Sequence, residues 1–231
     1  MRKYFILPLA LSALALLAIT GCQGKEDDPA ESHDTVVLSY LYQYQASIDS
    51  TTISAILYEW PDPHAGLVRV KLWPGETLTF NGDTLREWQR PYSPDYVLRL
   101  KGYVDTGTFT YTSYKNVAYN YNMPKFIPRT LPAAFTSVNR HANDTVVWDG
   151  GPVNPDDWVN LSISGNSYTA NVENKQQNYL ALDSATMQTL SPGNHMATLY
   201  YVSQITSATT APKSCSLHRS YIDMPREITV Y

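Results

Sequence analysis

Short runs in which apolar and polar residues alternate recur from about Thr35 to the end of this 231-residue chain. A period of two places successive side chains on opposite faces of a β-strand, so each run predicts a strand with one buried and one solvated face. The apolar positions of these runs are Val36, Leu38, Tyr40; Ile53, Ala55, Leu57; Val68, Val70, Leu72; Leu78, Phe80; Tyr96, Leu98, Leu100; Phe109, Tyr111; Val159, Leu161, Ile163; Tyr168, Ala170, Val172; Ala197, Leu199, Tyr201; and Ile228, Val230. A series of this kind restricts the chain to an all-β fold.

Turn residues between the runs favour a β-sandwich. Asn81-Gly82 is the strongest hairpin signal in the chain, and Gly165-Asn166 predicts a second turn. The shorter apolar segments 117–121, 145–148 and 179–182 complete the set of strands. Only 16% of the residues are charged, whereas 12% are aromatic, including 18 Tyr. This composition predicts a folded, strand-rich protein and excludes general disorder.

Three prolines interrupt the strand pattern near the middle of the chain. Pro124, Pro128 and Pro132 lie within ten residues, and proline cannot donate to a strand ladder. The alternating runs resume afterwards. We therefore expect two tandem sandwich domains, residues 35–128 and 129–231. In the second domain, either Asp183 or Ser184 is a good N-cap for a short helix over 185–190, before Pro192-Gly193 ends it.

The first 22 residues form a leader. Arg2 and Lys3 precede the apolar stretch Phe5 to Ala18, which is shorter than the roughly 20 residues needed to span a bilayer. Ile19, Thr20 and Gly21 then lead to Cys22. This quartet resembles the lipobox of bacterial lipoproteins. The resemblance implies a signal peptide over residues 1–21, cleavage before Cys22, lipid on its thiol and acylation of the new N-terminus.

Residues 22–34 are polar and acidic, and we expect a flexible tether there. Lys25-Glu26-Asp27-Asp28 resembles the short Lys-plus-acidic export signal of surface-exposed lipoproteins in certain Gram-negative bacteria. A polar tether is also common to all lipoproteins, so display on the cell surface and attachment to the inner leaflet of the outer membrane both stay open. Gln23 rather than Asp follows the cysteine, which departs from the signal for retention in the inner membrane.

The leader, the tether and the β-rich remainder together resemble bacterial cell-envelope lipoproteins with tandem immunoglobulin-like domains. This resemblance implies a non-enzymatic protein that is held to the outer membrane by its lipid and presents two modules to envelope partners. A nucleic-acid partner is excluded by the formal charge of −4, which becomes −6 without Arg2 and Lys3, and by the absence of a basic cluster.

No motif for catalysis, a cofactor or a metal ion occurs in the sequence. Two acidic stretches, 59–64 and 149–158, could serve a metal ion or glycoside hydrolysis, but Asp, Pro and Gly are equally typical of β-turns. Cys215 and His218 could pair as nucleophile and base, although a structural cysteine beside an unrelated histidine is the simpler interpretation. We therefore expect neither a catalytic residue nor a cofactor.

Aromatic residues between the predicted strands suggest an alternative function. Trp60, Trp88, Tyr92 and Trp158 are expected on loops, where they could stack on sugar rings or anchor a protein. Trp148, at the end of a strand, is the best candidate for a tryptophan buried in the sandwich core. The alternative to a structural or protein-binding role is thus glycan binding at the outer membrane.

Overall fold

The computed structural model describes residues 36–59, 66–90, 93–154, 157–164, 166–171, 178–207 and 214–231. Nearly all regular structure in these residues is β-strand, which confirms the all-β prediction. The leader and tether, with Cys22 and the Lys25 to Asp28 run, lie outside the described residues. Trp60 and Tyr92 also lie outside them.

Nine strands form in the described part of the first half of the chain. They are β1 (Val37–Gln45), β2 (Ser50–Glu59), β3 (Val68–Val70), β4 (Thr77–Phe80), β5 (Asp83–Thr84), β6 (Arg86–Arg90), β7 (Ser93–Lys101), β8 (Gly107–Thr112) and β9 (Ala118–Met123). A single 3₁₀ turn over Ala46–Ile48 joins β1 to β2. Along β1 and β2 buried residues alternate with exposed or half-buried ones, as the sequence pattern predicts.

Eight strands and one helix form in the described part of the second half. They are β10 (Ser137–Val138), β11 (Asp144–Val147), β12 (Trp158–Ile163), β13 (Asn166–Asn171), β14 (Tyr179–Leu182), α1 (Ser184–Met187), β15 (Gly193–Ser207), β16 (Ser214–Ile222) and β17 (Arg226–Val230). The Asp183 carboxylate accepts a hydrogen bond from the Thr186 N–H at 3.1 Å, which confirms the predicted cap. α1 ends at Met187, three residues earlier than expected.

Two hairpins show how the turn residues act. Asn81 and Gly82 have φ of 51° and 88°, the two positive values of a type I′ turn, and Phe80 pairs with Asp83 across it. This hairpin prediction is confirmed. Between β12 and β13 the turn lies one residue earlier than expected, because Ile163 pairs with Asn166 and Asn166 is already in the strand.

One sheet runs through both halves of the chain. Its strand order is β10-β17-β15-β16-β1-β2-β7-β6, with β12 and β13 attached at β15 and β3 attached at β2. β1 and β16 pair in parallel over nine residue pairs, from Val37 with Ser214 to Gln45 with Ile222. We call this the shared sheet. The strand pairing does not confirm two separate sandwiches, and the division at residues 128/129 stays a prediction.

A smaller sheet, β5-β4-β8-β9, covers one face of the shared sheet in the first half. Aromatic rings fill the space between the two sheets. Tyr40 stacks on Phe109 with ring centroids 4.1 Å apart, and Phe80 meets Phe109 edge-on at 4.8 Å. Such pairs each contribute about 0.5–1.5 kcal/mol beyond the area they bury. In the second half, β11 and β14 form a two-stranded sheet.

Phe126 packs where the two halves meet. Its ring stacks on Tyr201 at 5.3 Å and meets Tyr42 edge-on at 5.6 Å. The buried Arg219 guanidinium lies over the same ring, 4.6 Å from the centroid. Residues from β1, β15 and β16 thus surround one side chain of the connecting segment, which fixes the course of the chain between β9 and β10.

Candidate functional site

The face of the shared sheet opposite the small sheet is left accessible by the strand pattern. Directly paired residues lie on the same face, so a row can be followed across the sheet. One such row contains Trp158, Val202, Ser220, Gln43, Thr52 and Arg99. All six side chains are exposed or half-buried. We call this surface the outer face.

The middle of the outer face is uncharged. In the described parts of β1, β2 and β16 its positions carry Ser, Thr, Gln, Tyr, His and aliphatic residues, and none carries Asp, Glu, Lys or Arg. Leu41 is exposed beside Ser54 and His218. Hydroxyl, amide and imidazole groups can both donate and accept hydrogen bonds, so this surface suits a neutral, hydrogen-bonding partner.

A groove of about 520 Å³ opens at one end of the outer face. It is lined by Gly82, Asp83, Thr84, Arg86, Val97, Leu98 and Arg99. The groove exists because β6 begins only at Arg86, which pairs with Val97, whereas β7 continues to Lys101. In the described structure no strand pairs with residues 98–101 on that side, and the β4–β5 hairpin forms the opposite wall.

The cations at this end of the sheet differ in their partners. Arg69 lies 3.4 Å from Asp95, and Lys71 lies 3.5 Å from Glu87. Arg99 instead packs over the Trp88 ring, 5.0 Å from its centroid. Among the described residues neither Arg86 nor Arg99 has a carboxylate partner. The groove therefore presents two guanidinium groups that can bind an anion.

Trp88 and Trp158 are exposed, as expected, but the prediction that they lie on loops is wrong. Trp88 is the middle residue of β6 and Trp158 is the first residue of β12. Prolines near both residues suggested loops, but Pro91 follows β6 and Pro155 precedes β12, so neither proline interrupts a strand.

The two tryptophans lie on the same face at opposite ends of the sheet. Six strand steps separate them, or about 29 Å at about 4.8 Å a step. A twist of about 20–25° per step turns the sheet by more than 100° between them. Trp88 and Trp158 therefore cannot stack on one short ligand, and only Trp88 lies beside the groove.

The other described tryptophans have structural roles. Trp148 is 3% exposed and its indole N–H donates to the Gly151 carbonyl at 2.9 Å, which confirms that it is the buried tryptophan. Trp73 is half-buried, packs against Tyr114 at 5.6 Å, and its main-chain N–H donates to Glu76.

Asp157 in the acidic stretch 149–158 serves the core. Its buried carboxylate accepts hydrogen bonds from the Asn154 N–H, the Asn154 amide and the Tyr201 hydroxyl, at 2.8–3.0 Å. Burial, followed by the Asp157 contact, raises the pKa of Tyr201 well above its usual value. Three donors occupy this carboxylate, so it is committed to structure rather than to a metal ion or a reaction.

Cys215 and His218 cannot act together. Cys215 is buried on the inner face of β16, whereas His218, an odd number of residues away, lies on the outer face.

The buried Arg219 has a structural role. Its guanidinium donates hydrogen bonds to the Pro124 carbonyl and to the Ser203 hydroxyl, both at 2.9 Å. Desolvation lowers the pKa of this arginine.

Within the described part of the chain, no group of three or more His, Cys, Asp or Glu side chains could hold a metal ion. No helix in the same residues has the length and apolar character that a membrane crossing requires.

Sequence reasoning missed the arginines of the groove. Arg86 and Arg99 occupy polar positions of alternating strands, where a charged residue usually marks a solvated face. The available signal was the spacing of Arg86 and Trp88, which places both side chains on one face of a strand.

No protein-family model matches the chain, and no curated protein matches it significantly. Solved structures give weak likenesses. The fibronectin(III)-like modules of Clostridium thermocellum CbhA are 9% identical over 85% of this chain and 93% of theirs, with a TM-score of 0.26. A 1.5-MDa bacterial ice-binding adhesin is 12% identical over 85% of this chain and 65% of its own, with a TM-score of 0.28.

A third solved structure is SGBP-B of the Bacteroides ovatus mixed-linkage glucan utilization locus, in complex with mixed-linkage heptasaccharide. It is 10% identical over 86% of this chain and 60% of its own, with a TM-score of 0.25. The chain thus spans less than two thirds of the adhesin and of SGBP-B. The function proposed below rests on the residues of this chain alone.

Proposed function

We propose that the protein is a non-enzymatic binding protein of the bacterial cell envelope, held to the outer membrane by lipid at Cys22. The observation that carries a binding role is the groove at the end of the outer face. It presents two arginines that have no carboxylate partner among the described residues, beside an exposed tryptophan. The buried side chains of Asp157 and Arg219, in contrast, are used in structural hydrogen bonds.

The position of β1 suits an anchored protein. Fourteen residue steps separate Cys22 from Val36, so a fully extended tether spans at most about 50 Å. β1 is paired on both sides, with β16 and with β2, over nine residues each. The strand next to the anchor is therefore among the best-held strands of the fold. Durable attachment to a membrane needs several acyl chains. The lipobox resemblance implies several, because it places lipid on the Cys22 thiol and an acyl group on the new N-terminus.

Replacing Cys22 tests the anchor. We expect Cys22→Ala to abolish incorporation of labelled palmitate and to leave the leader uncleaved, because no thiol remains for the lipid. Cys215→Ala is the matched control, since it removes the other cysteine, which is buried in the core. Labelling that persists in Cys22→Ala, or that disappears in Cys215→Ala, would contradict the proposed anchor.

Replacing the Lys25 to Asp28 run tests on which side of the outer membrane the protein lies. We propose surface display, with the inner leaflet of the outer membrane as the alternative. Proteinase added to intact cells should then degrade the protein, and replacing Lys25, Glu26, Asp27 and Asp28 together by Ala should protect it. Equal protection of the unaltered protein and a periplasmic marker would place it on the inner leaflet.

Two kinds of partner are consistent with an envelope binding protein. One is another envelope protein, for which the uncharged middle of the outer face is the expected contact surface. The second is a glycan, which is favoured by a specific observation: Arg99 packs on the Trp88 ring and holds an exposed indole in place. A screen of envelope proteins and polysaccharides against the full chain separates the two. Released reducing ends in the same samples would indicate an enzyme instead.

A further inference from the structure

We infer that the groove binds a carboxylate-bearing sugar residue, such as a uronate within an acidic polysaccharide. The inference rests on the proposed binding function and specifies its ligand. It follows from the shape of the groove, from its two arginines and from the neighbouring tryptophan.

The groove has the dimensions of a small-molecule site. Its volume of about 520 Å³ lies within the roughly 300–1,000 Å³ typical of ligand pockets. It is short along the strand, because only residues 98–101 of β7 lack a neighbouring strand on that side. The rigid turn at Asn81 and Gly82 closes the far side, with the Asn81 amide oxygen accepting from the Thr108 N–H at 2.9 Å.

The charges of the groove favour an anion. Arg86 and Arg99 both line it, and a planar guanidinium can bind a carboxylate through two parallel hydrogen bonds. Asp83 is the only acidic residue of the lining, so the groove is a positive site on an acidic protein. Arg69 and Lys71 nearby already have acidic partners at 3.4 and 3.5 Å.

The remaining groups favour a sugar over an acidic peptide. Asp83 and Thr84 can accept hydrogen bonds from ring hydroxyls, and Val97 contributes an apolar contact. One face of the Trp88 ring is covered by Arg99, and the indole is still 44% exposed, so it can stack on a flat apolar sugar face. An extended peptide would instead pair along a strand edge, and the hairpin wall limits such pairing here to four residues.

Calorimetric titration of the full lipidated chain in detergent tests the inference. The probes are an oligogalacturonate and its methyl ester, in which a neutral ester replaces each charged carboxylate. We expect saturable binding of the acid and at least tenfold weaker binding of the ester. Arg86→Gln and Arg99→Gln should each weaken binding of the acid about tenfold, whereas Arg69→Gln should change it less than twofold. Trp88→Ala should weaken it about tenfold and Trp158→Ala should not.

Four outcomes would overturn the inference. They are equal binding of acid and ester, equal losses in Arg69→Gln and Arg86→Gln, no saturable binding of the acid, and binding of hexaglutamate as tight as that of oligogalacturonate. The last outcome would identify an acidic peptide as the ligand. Each is distinguishable from failure of the anchor, because palmitate labelling of Cys22 is measured separately and does not depend on the groove.

Discussion

Raising the pH from 10 to 12 is expected to unfold the protein completely. Eight tyrosines of the described residues have a raised pKa, with burial as the largest cause in each, and the five with the largest shifts lie mostly in the core. They are Tyr40, Tyr42, Tyr103, Tyr201 and Tyr221, and the values for Tyr42 and Tyr221 are about 12. Their ordinary pKa is 10.0, so the folded chain holds protons that the unfolded chain releases.

The sign of the effect follows from this difference in bound protons. Well below pH 10 these five tyrosines are protonated in both states, and their contribution to stability is fully present. Above pH 10 the unfolded chain ionises while the folded chain does not, so stability falls until the pH passes the folded pKa. Each tyrosine lowers the free energy of unfolding by about 1.4 kcal/mol per pH unit. Five together lower it by up to about 7 kcal/mol per pH unit. The free energy of unfolding of a typical domain is only about 5–15 kcal/mol. Unfolding is therefore expected between about pH 11 and 12.

Far-ultraviolet circular dichroism as a function of pH measures this transition, with the absorbance of tyrosinate recorded in parallel. The tyrosinate absorbance that the buried tyrosines contribute should rise as the strand signal falls, since these side chains ionise only on unfolding. Tyr42→Phe should reduce the slope of stability against pH by about 1.4 kcal/mol per unit. Tyr231→Phe, in which the lost hydroxyl belongs to an exposed residue, is the control. A protein that keeps its strand signal at pH 12, or an equal effect of both variants, would refute the explanation.

Local pattern was sufficient to predict most strands but not their arrangement. The inner positions of β1 and β2 alternate without exception, so their strands were predicted from the sequence. β16 was missed because Arg219 occupies a buried position and interrupts the apolar pattern. Its burial depends on acceptors from Pro124 and Ser203 and on the Phe126 ring, which a single-strand pattern cannot reveal.

The parallel pairing of β1 with β16 was equally inaccessible to sequence reasoning. About 170 residues separate the two strands, and periodicity describes each strand but not its neighbour. The three prolines between Met123 and Pro132 do mark the end of β9, so they were correctly interpreted as a break in the strands. They do not interrupt the sheet, because β16 returns from the second half to β1.

The candidate site was predicted only in part, because its groove also depends on how strands are arranged and not on the pattern of one strand. Trp88 was identified from its polar, proline-bearing surroundings in the sequence, but the groove beside it depends on where β6 begins relative to β7. That offset is set by the chain crossing from β5 in the small sheet to β6 in the shared sheet, with the buried Leu85 between them. Arg99 on β7 contacts the ring of Trp88 on β6. The spacing of the two residues in the sequence does not predict this contact.

Gly150→Ala is expected to have the largest effect of any single small substitution at the junction of the two halves. Gly150 has φ of +104°, and a Cβ built there would lie 2.2 Å from the Pro128 carbonyl oxygen. The neighbouring Thr130 and Asp149 exchange two main-chain hydrogen bonds, at 2.9 and 3.2 Å, so the backbones cannot easily separate. Left-handed strain costs about 1–2 kcal/mol and a forced contact in a packed region about 1–3 kcal/mol more.

The adjacent glycine separates these two costs. Gly151 also has a positive φ, +86°, but a Cβ there would meet nothing within 4 Å. In urea unfolding, Gly151→Ala should therefore lower the free energy of unfolding by only about 1–2 kcal/mol, and Gly150→Ala should lower it by about 2–5 kcal/mol. If both variants lost the same stability, the carbonyl of Pro128 would not be held against Gly150. The difference between two consecutive glycines thus measures how firmly the connecting segment is fixed between the halves.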